Sequence, residues 1–278
     1  MKWVKGVLSC ALVIMTLTGC GKNIPVIDAS LLQSKTSVLV VTGADLPDAA
    51  KKSLDSTLVA WRDKNHISFE WMQNTSALTE AQIDKIKSVP YDYVLVVGHA
   101  LIQAALPAAE QSPERKWVLI DDAVARQQVQ VKSNNVLWKQ VPEARFQAEW
   151  DEWVRQQLVS GRTIEWVTKT GYPIPSEWAP SEEGEYVSMA DADGWYPQFQ
   201  FQVRQHGPNW IAVYAPLDAT VLNRMKSLQV PIMNIAATGI ELQWDAILAG
   251  QLDTMEKHSW KPGIQPFPDN EMKILKNS

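Results

Sequence analysis

The sequence predicts an α/β fold with two lobes, in which each lobe is a parallel sheet flanked by helices and the second lobe is reduced. Apolar runs rich in Val, Ile and Leu alternate with longer amphipathic segments, which is the pattern of a parallel sheet with its connecting helices. The runs are apolar throughout, as expected for strands that are covered on both faces. A second alternation follows residue 161, and its strands are less distinct.

The first lobe is predicted for residues 36–140. In its first helix, Leu54, Leu58 and Trp61 recur at helical spacing. Thr79 precedes the second helix and is a plausible N-cap. Its strands are expected at 36–43, 66–72, 91–98, 115–122 and 134–141, and its helices at 44–65, 78–89 and 99–113.

The second lobe is predicted for residues 141–278, together with the segments that cross between the lobes. It begins with an amphipathic helix at 142–161, in which Phe146 and Trp150 lie on one stripe. Pro-rich segments at 172–186 and 258–270 are predicted to be irregular. Further strands are expected at 162–168, 209–216 and 230–239, and further helices at 194–207, 218–229 and 240–252.

The N-terminus has the order of a secretory signal: basic residues, a short apolar run at 6–19, and small residues before Cys20. The run is shorter than the roughly 20 residues that a membrane-spanning helix needs. Leu17-Thr18-Gly19-Cys20 resembles the lipobox of bacterial lipoproteins. The resemblance implies cleavage after residue 19, a lipid carrying palmitate-type chains on Cys20, and a tether at 20–35. An ordinary signal peptide and an uncleaved anchor are the alternatives.

Charge and cysteine content exclude several functions. The chain carries a formal net charge of -5, and removal of a signal containing Lys2 and Lys5 makes it more negative, which argues against nucleic acid as a partner. Cys10 and Cys20 are the two cysteines. If one is removed and the other carries lipid, no thiol remains for a disulfide, a nucleophile or a metal.

Ligands of open α/β sheets bind beyond the carboxyl ends of the strands, and this rule selects the candidate ligand-binding residues. They are Asp45, His99, Asp121, Asp122, Trp195, Asp218 and Asn234. A carboxylate can accept two hydrogen bonds from a pair of sugar hydroxyls, and a Trp ring suits the flat face of a base. Asp45 and Asp218 could instead cap helices. Trp178 is expected to pack under the loop that contains it.

No enzyme motif is found in the sequence. The four histidines are not paired at metal spacing, and G-x-S-x-G, the P-loop and G-x-G-x-x-G are absent. We therefore predict a protein that is not an enzyme and that uses no cofactor and no metal.

The segment YDYVLVVGHALIQAALPAAEQSPERKWVLIDD at 91–122, followed by Asn135-Val136, resembles the basic membrane protein family of substrate-binding lipoproteins. The resemblance implies a periplasmic-binding-protein-like fold and points to Asp121 in the site. Members typically deliver nucleosides to an ABC importer, and a subset is regulatory. The loop at 43–48 lacks the aromatic residue and the Asn of nucleoside-binding members.

The sequence thus predicts a lipoprotein on the extracytoplasmic face of the cell membrane. Its expected function is to bind a small, nucleoside-like solute and pass it to an ABC permease. The alternative is a degenerate member that acts as a membrane sensor or regulator through a protein partner.

Overall fold

The computed structural model describes residues 35–125, 131–179 and 185–276. The predicted signal peptide, Cys20 and the tether up to residue 34 lie outside the described residues. From Thr36 onward the chain forms one compact unit. Among the residues described, no helix combines the length and the apolar character that crossing a membrane requires.

The first lobe contains a six-stranded sheet in the order β11-β5-β4-β3-β1-β2, and every neighbouring pair is parallel. Its strands are β1 (Ser37–Thr42), β2 (Ser68–Met72), β3 (Tyr93–Val97), β4 (Lys116–Ala125), β5 (Val136–Pro142) and β11 (Gly263–Pro266). The connecting helices are α1 (Asp48–Asn65), α2 (Glu80–Ser88) and α3 (His99–Glu110).

Both faces of this sheet are buried, as its apolar strands predict. Leu54, Leu58 and Trp61 of α1 pack on one face, where they join the core formed by alternate residues of the strands. Helices α2 and α3 cover the other face. Thr79 caps α2 in a capping box. Its side chain accepts from the Gln82 backbone amide, and the Gln82 side chain accepts from the Thr79 backbone amide.

The second lobe is smaller, with a four-stranded parallel sheet in the order β7-β6-β8-β9. Its strands are β6 (Ile164–Thr168), β7 (Val187–Met189), β8 (Trp210–Val213) and β9 (Ile232–Asn234). Its helices are α4 (Glu143–Val159), α5 (Trp195–His206) and α6 (Ala219–Lys226). Strand β7 follows the irregular segment and was not expected, because three residues give too short a pattern to detect. The α/β fold, with a reduced second lobe, is confirmed.

The end of the chain differs from the prediction for 141–278, because it returns to the first lobe. The segment expected to be a helix at 240–252 starts as a strand, and the irregular tail contributes two more strands. The returning elements are β10 (Gly239–Leu242), α7 (Trp244–Glu256), β11 and β12 (Met272–Leu275). Strand β11 extends the first sheet beside β5, and β12 pairs antiparallel with β10.

Burial of apolar side chains explains this return. Leu242, Trp244, Phe267 and Met272 are all buried in the core on the α1 face of the first sheet. Each returning strand has four residues, and Pro and Gly interrupt the pattern around β11. A local pattern of this length cannot show which sheet an edge strand joins.

A buried ion pair joins the returning C-terminal segment to the first sheet. Lys139 of β5 and Glu271 are 7% and 5% exposed, and the Lys139 ammonium donates to the Glu271 carboxylate. The ammonium also lies 5.8 Å from the ring centroid of Phe267. The backbone oxygen of Glu271 accepts from the Gln243 amide, which precedes α7, at 2.7 Å.

Candidate functional site

A cavity of about 610 Å³ lies between the two lobes. The first lobe contributes residues from α3, β4, β5 and β10, and the second contributes residues from α4 and from loops after β6, β8 and β9. The side chains that define its chemistry are His99, Asp121, Asp122, Trp138, Phe146 and Tyr172. The cavity therefore combines acidic, imidazole and aromatic groups from both lobes.

Asp121 is fully buried at one wall of this cavity and is fixed by hydrogen bonds to both of its oxygens. The Ala123 amide donates to Oδ1 at 3.0 Å, and Trp138 Nε1 donates to Oδ2 at 3.1 Å. His99 Nδ1 lies 3.0 Å from Oδ1 and 3.1 Å from Oδ2. Because both oxygens are hydrogen-bonded and the side chain is fully buried, Asp121 orients His99 and Trp138 and does not itself face a ligand.

Burial raises the pKa of the Asp121 carboxyl above its ordinary value, because water no longer solvates the charge. The Ala123 amide, His99 and Trp138 all oppose this effect, since each favours the charged form. A buried carboxylate is tolerated in proteins when donors of this kind surround it.

The carboxylate also fixes the orientation of the His99 ring and selects the ring nitrogen that donates to it. The nitrogen that faces two carboxylate oxygens carries a proton, so Nδ1–H donates to Asp121 and Nε2 is the remaining nitrogen of the ring. The His99 side chain is 49% exposed. It starts α3 directly after Gly98, whose φ of 111° lies in a region that glycine adopts readily.

Asp122 lies at the N-terminus of α3 and is exposed. Its Oδ1 accepts from the His99 amide at 2.8 Å, which satisfies one of the amides that the first turn of a helix leaves unpaired. The register between β4 and β5 shifts between Ile120 and Val124, and both acids fall within this irregular stretch. The shift lets consecutive acidic residues reach the same edge of the sheet.

A second cavity of about 750 Å³ adjoins the first, and Asp122 lines both. Asp45 lies in this second cavity, with Glu241 and Asp245. Asp245 accepts a hydrogen bond from Ser53 of α1. The structure thus separates Asp45 from His99 and Asp121, although Asp122 links the two cavities.

The remaining sequence-derived candidates lie elsewhere. Trp195 packs against Tyr196 and Phe199 of its own helix, with ring centroids 5.4 and 5.7 Å away. Asp218 is exposed at the N-cap position of α6 but makes no capping hydrogen bond with its side chain. Asn234 ends β9, and its Oδ1 is buried without a hydrogen-bond partner among the described residues. None of these three lines either cavity.

Trp178 packs as expected for a loop residue with a structural role. It is 2% exposed and stacks on Trp166 with ring centroids 6.1 Å apart. Its Nε1 donates to Asp151 of α4 at 2.5 Å.

Three aromatic residues of the cleft were not identified from the sequence. Trp138 lies within the apolar strand β5, Phe146 is one of the apolar residues of α4, and Tyr172 follows β6. Only Tyr172 could have been selected from the sequence as a candidate site residue, because it follows the carboxyl end of a strand. The other two are indistinguishable in sequence from core residues.

In the part of the chain that the structure describes, no group of three or more His, Cys, Asp or Glu side chains could hold a metal ion.

No family model matches the chain, and no curated protein matches it. Among solved structures, the chain is similar to an ABC transporter solute-binding protein from Aeropyrum pernix K1, at 14% identity and a TM-score of 0.40, covering 86% of this chain and 76% of that one. It is similar to a sugar transporter from Clostridium phytofermentans, at 11% identity, a TM-score of 0.44 and coverages of 87% and 100%.

A further similar structure is a transcriptional activator of the comK gene from Bacillus halodurans, at 12% identity and a TM-score of 0.44, covering 86% of this chain and 89% of that one. Because all three scores lie below 0.5, the class of the protein rests on its own topology. Two parallel sheets flanked by helices, with a cavity between them, define a two-lobed α/β fold.

Proposed function

We propose that the protein is a solute receptor that binds a small organic molecule in the cleft between its lobes. The observation that supports this function is the cleft itself, which brings acidic, imidazole and aromatic side chains from both lobes around one cavity. Ligand sites are commonly of this size and combine aromatic walls with a few placed polar groups.

Nucleosides are the first solutes to consider. Tyr172 is partly exposed and offers a flat face for a base, and Asp122 offers carboxylate oxygens for hydroxyl groups. Trp138 and Phe146 also line the cavity, but each is only 1% exposed. Binding would draw the lobes together, since the solute would contact both. The chain crosses between the lobes at Pro142–Glu143 and again at Thr238–Gly239, so these two short crossings are the proposed hinge.

The proposal includes a lipid on Cys20 that holds the receptor at the extracytoplasmic face of the cell membrane, where it would serve an ABC importer. Its support is the lipobox-like sequence. Cells fed labelled palmitate should label the protein, and Cys20→Ser should abolish the label. Equal labelling of this variant would exclude the anchor.

A thermal-shift screen of the full-length chain in detergent tests solute binding. A solute at 100 times its dissociation constant should stabilise the protein by about 2.7 kcal/mol. The panel should contain nucleosides, bases and sugars. The shift should be lost in Asp122→Ala and kept in Asp84→Ala, because Asp84 is exposed on α2 and lines neither cavity.

A regulator that works through a protein partner is the second candidate. It is favoured by the position of Asp45, which lies in the adjoining cavity and not in the cleft with His99 and Asp121. A folded protein that shows no shift across the panel would support the regulator and contradict the receptor.

A further inference from the structure

Two groups that face the cleft from the first lobe, His99 and Asp122, can accept hydrogen bonds, and the side-chain amides of Gln103 and Gln140 line it beside them. His99 donates through Nδ1 to Asp121, which leaves a lone pair on Nε2 in the neutral ring. No hydrogen-bond partner of Nε2 occurs among the described residues, and the ring is half exposed at the cavity. The neutral ring of His99 thus presents an acceptor at Nε2, and the buried carboxylate of Asp121 holds the ring in this orientation.

Asp122 supplies the second acceptor. Only its Oδ1 is hydrogen-bonded to a described residue, through the His99 amide at 2.8 Å, and a carboxylate has several lone pairs to offer. The same contact places a negative charge at the N-terminus of α3, where an anionic group of a ligand would otherwise be favoured. A phosphate or carboxylate of a solute would thus be repelled by the Asp122 carboxylate, which already occupies this position.

The other residues that line the two cavities also favour a solute without negative charge. Among the described residues, the lining of the two adjoining cavities contains no Lys and no Arg. Asp45, Glu241 and Asp245 in the second cavity add further negative charge near Asp122. The partly exposed ring of Tyr172 is compatible with an amine, since the faces of aromatic rings attract cations.

We propose that the solute presents an amino group to His99 Nε2 and Asp122, and that it carries no negative charge. This inference rests on the proposed receptor function and specifies its substrate class. An amino group has the donors that these acceptors lack, whereas a carbonyl at the same position would oppose acceptor to acceptor.

Matched pairs of solutes test the inference on the full-length chain in detergent, with dissociation constants from calorimetry. The pairs are adenosine and inosine, cytidine and uridine, and glucosamine and glucose, which differ in an amino group. In each pair that binds, the amino member should bind at least about tenfold more tightly. Adenosine monophosphate should bind at least about tenfold more weakly than adenosine if adenosine binds.

Asp122→Asn probes the mechanism, because it keeps one oxygen for the His99 amide and replaces the other with a donor. The amino preference should fall by about tenfold in this variant and should stay unchanged in Asp84→Asn. Equal or tighter binding of the carbonyl or hydroxyl members would overturn the inference and leave the receptor function intact. Absence of binding by every pair, with the protein folded, would overturn both.

Discussion

Replacing Lys139 with Met is expected to lower the free energy of unfolding by about 3–5 kcal/mol, because it leaves the buried Glu271 carboxylate without its partner. Both side chains are less than one-tenth exposed, so water cannot replace the lost contact. The pair joins β5 to the segment that precedes β12, and its loss should loosen the return of the chain to the first lobe.

The double variant Lys139→Met, Glu271→Leu should recover most of this stability, since it removes the unpaired charge and leaves apolar groups in an apolar site. Urea denaturation monitored by tryptophan fluorescence would measure both. The control is Lys257→Met, directly after the end of α7. Lys257 and its partner Asp253 are both more than half exposed, so this change should alter stability by about 1 kcal/mol or less. Equal effects of Lys139→Met and Lys257→Met would contradict the role of the buried pair.

Truncation of Phe267 to Ala is expected to lower the free energy of unfolding by about 3–5 kcal/mol, through the cavity it would leave in the first core. Phe267 is 1% exposed and belongs to the cluster that contains Leu54 and Val118. Its backbone oxygen accepts from Arg145 of α4 at 2.8 Å, so the segment also contacts the second lobe.

Ile264→Ala is the matched control, because Ile264 lies on β11 itself and is 40% exposed. Ile264→Ala should lower the free energy of unfolding by well under half as much as Phe267→Ala. Hydrogen exchange should become faster in β5 of the Phe267→Ala protein, which neighbours β11, if the return segment stabilises the first sheet. A Phe267→Ala protein as stable as the control would show that this segment is dispensable.

The central strands of the first lobe could be predicted because each is an apolar run bounded by polar or turn residues, which is the pattern of a buried strand. Asp121, Asp122 and His99 were also predictable, since they follow such strands and parallel strands end at one edge of a sheet. Asp218 and Asn234 satisfy the same rule but do not line the cleft, because the rule gives the edge and not the direction of a side chain.

The aromatic walls and the returning strands could not be predicted for a different reason. Trp138 and Phe146 have the sequence context of core residues and are each 1% exposed, and only the approach of the two lobes brings a cavity beside them. Strand β11 pairs with β5 across more than 120 positions of sequence, and no local periodicity encodes such a partner.

The position of β11 has a consequence for how the protein is made. During synthesis the first sheet must wait for residues 263–275, because its edge strand and part of its core emerge after the whole second lobe. Residues 143–238 are contiguous and can complete their own sheet first, although the first lobe begins earlier. A chain stopped before residue 263 would therefore carry an open strand edge on β5, and this edge would be the place where unfinished molecules associate.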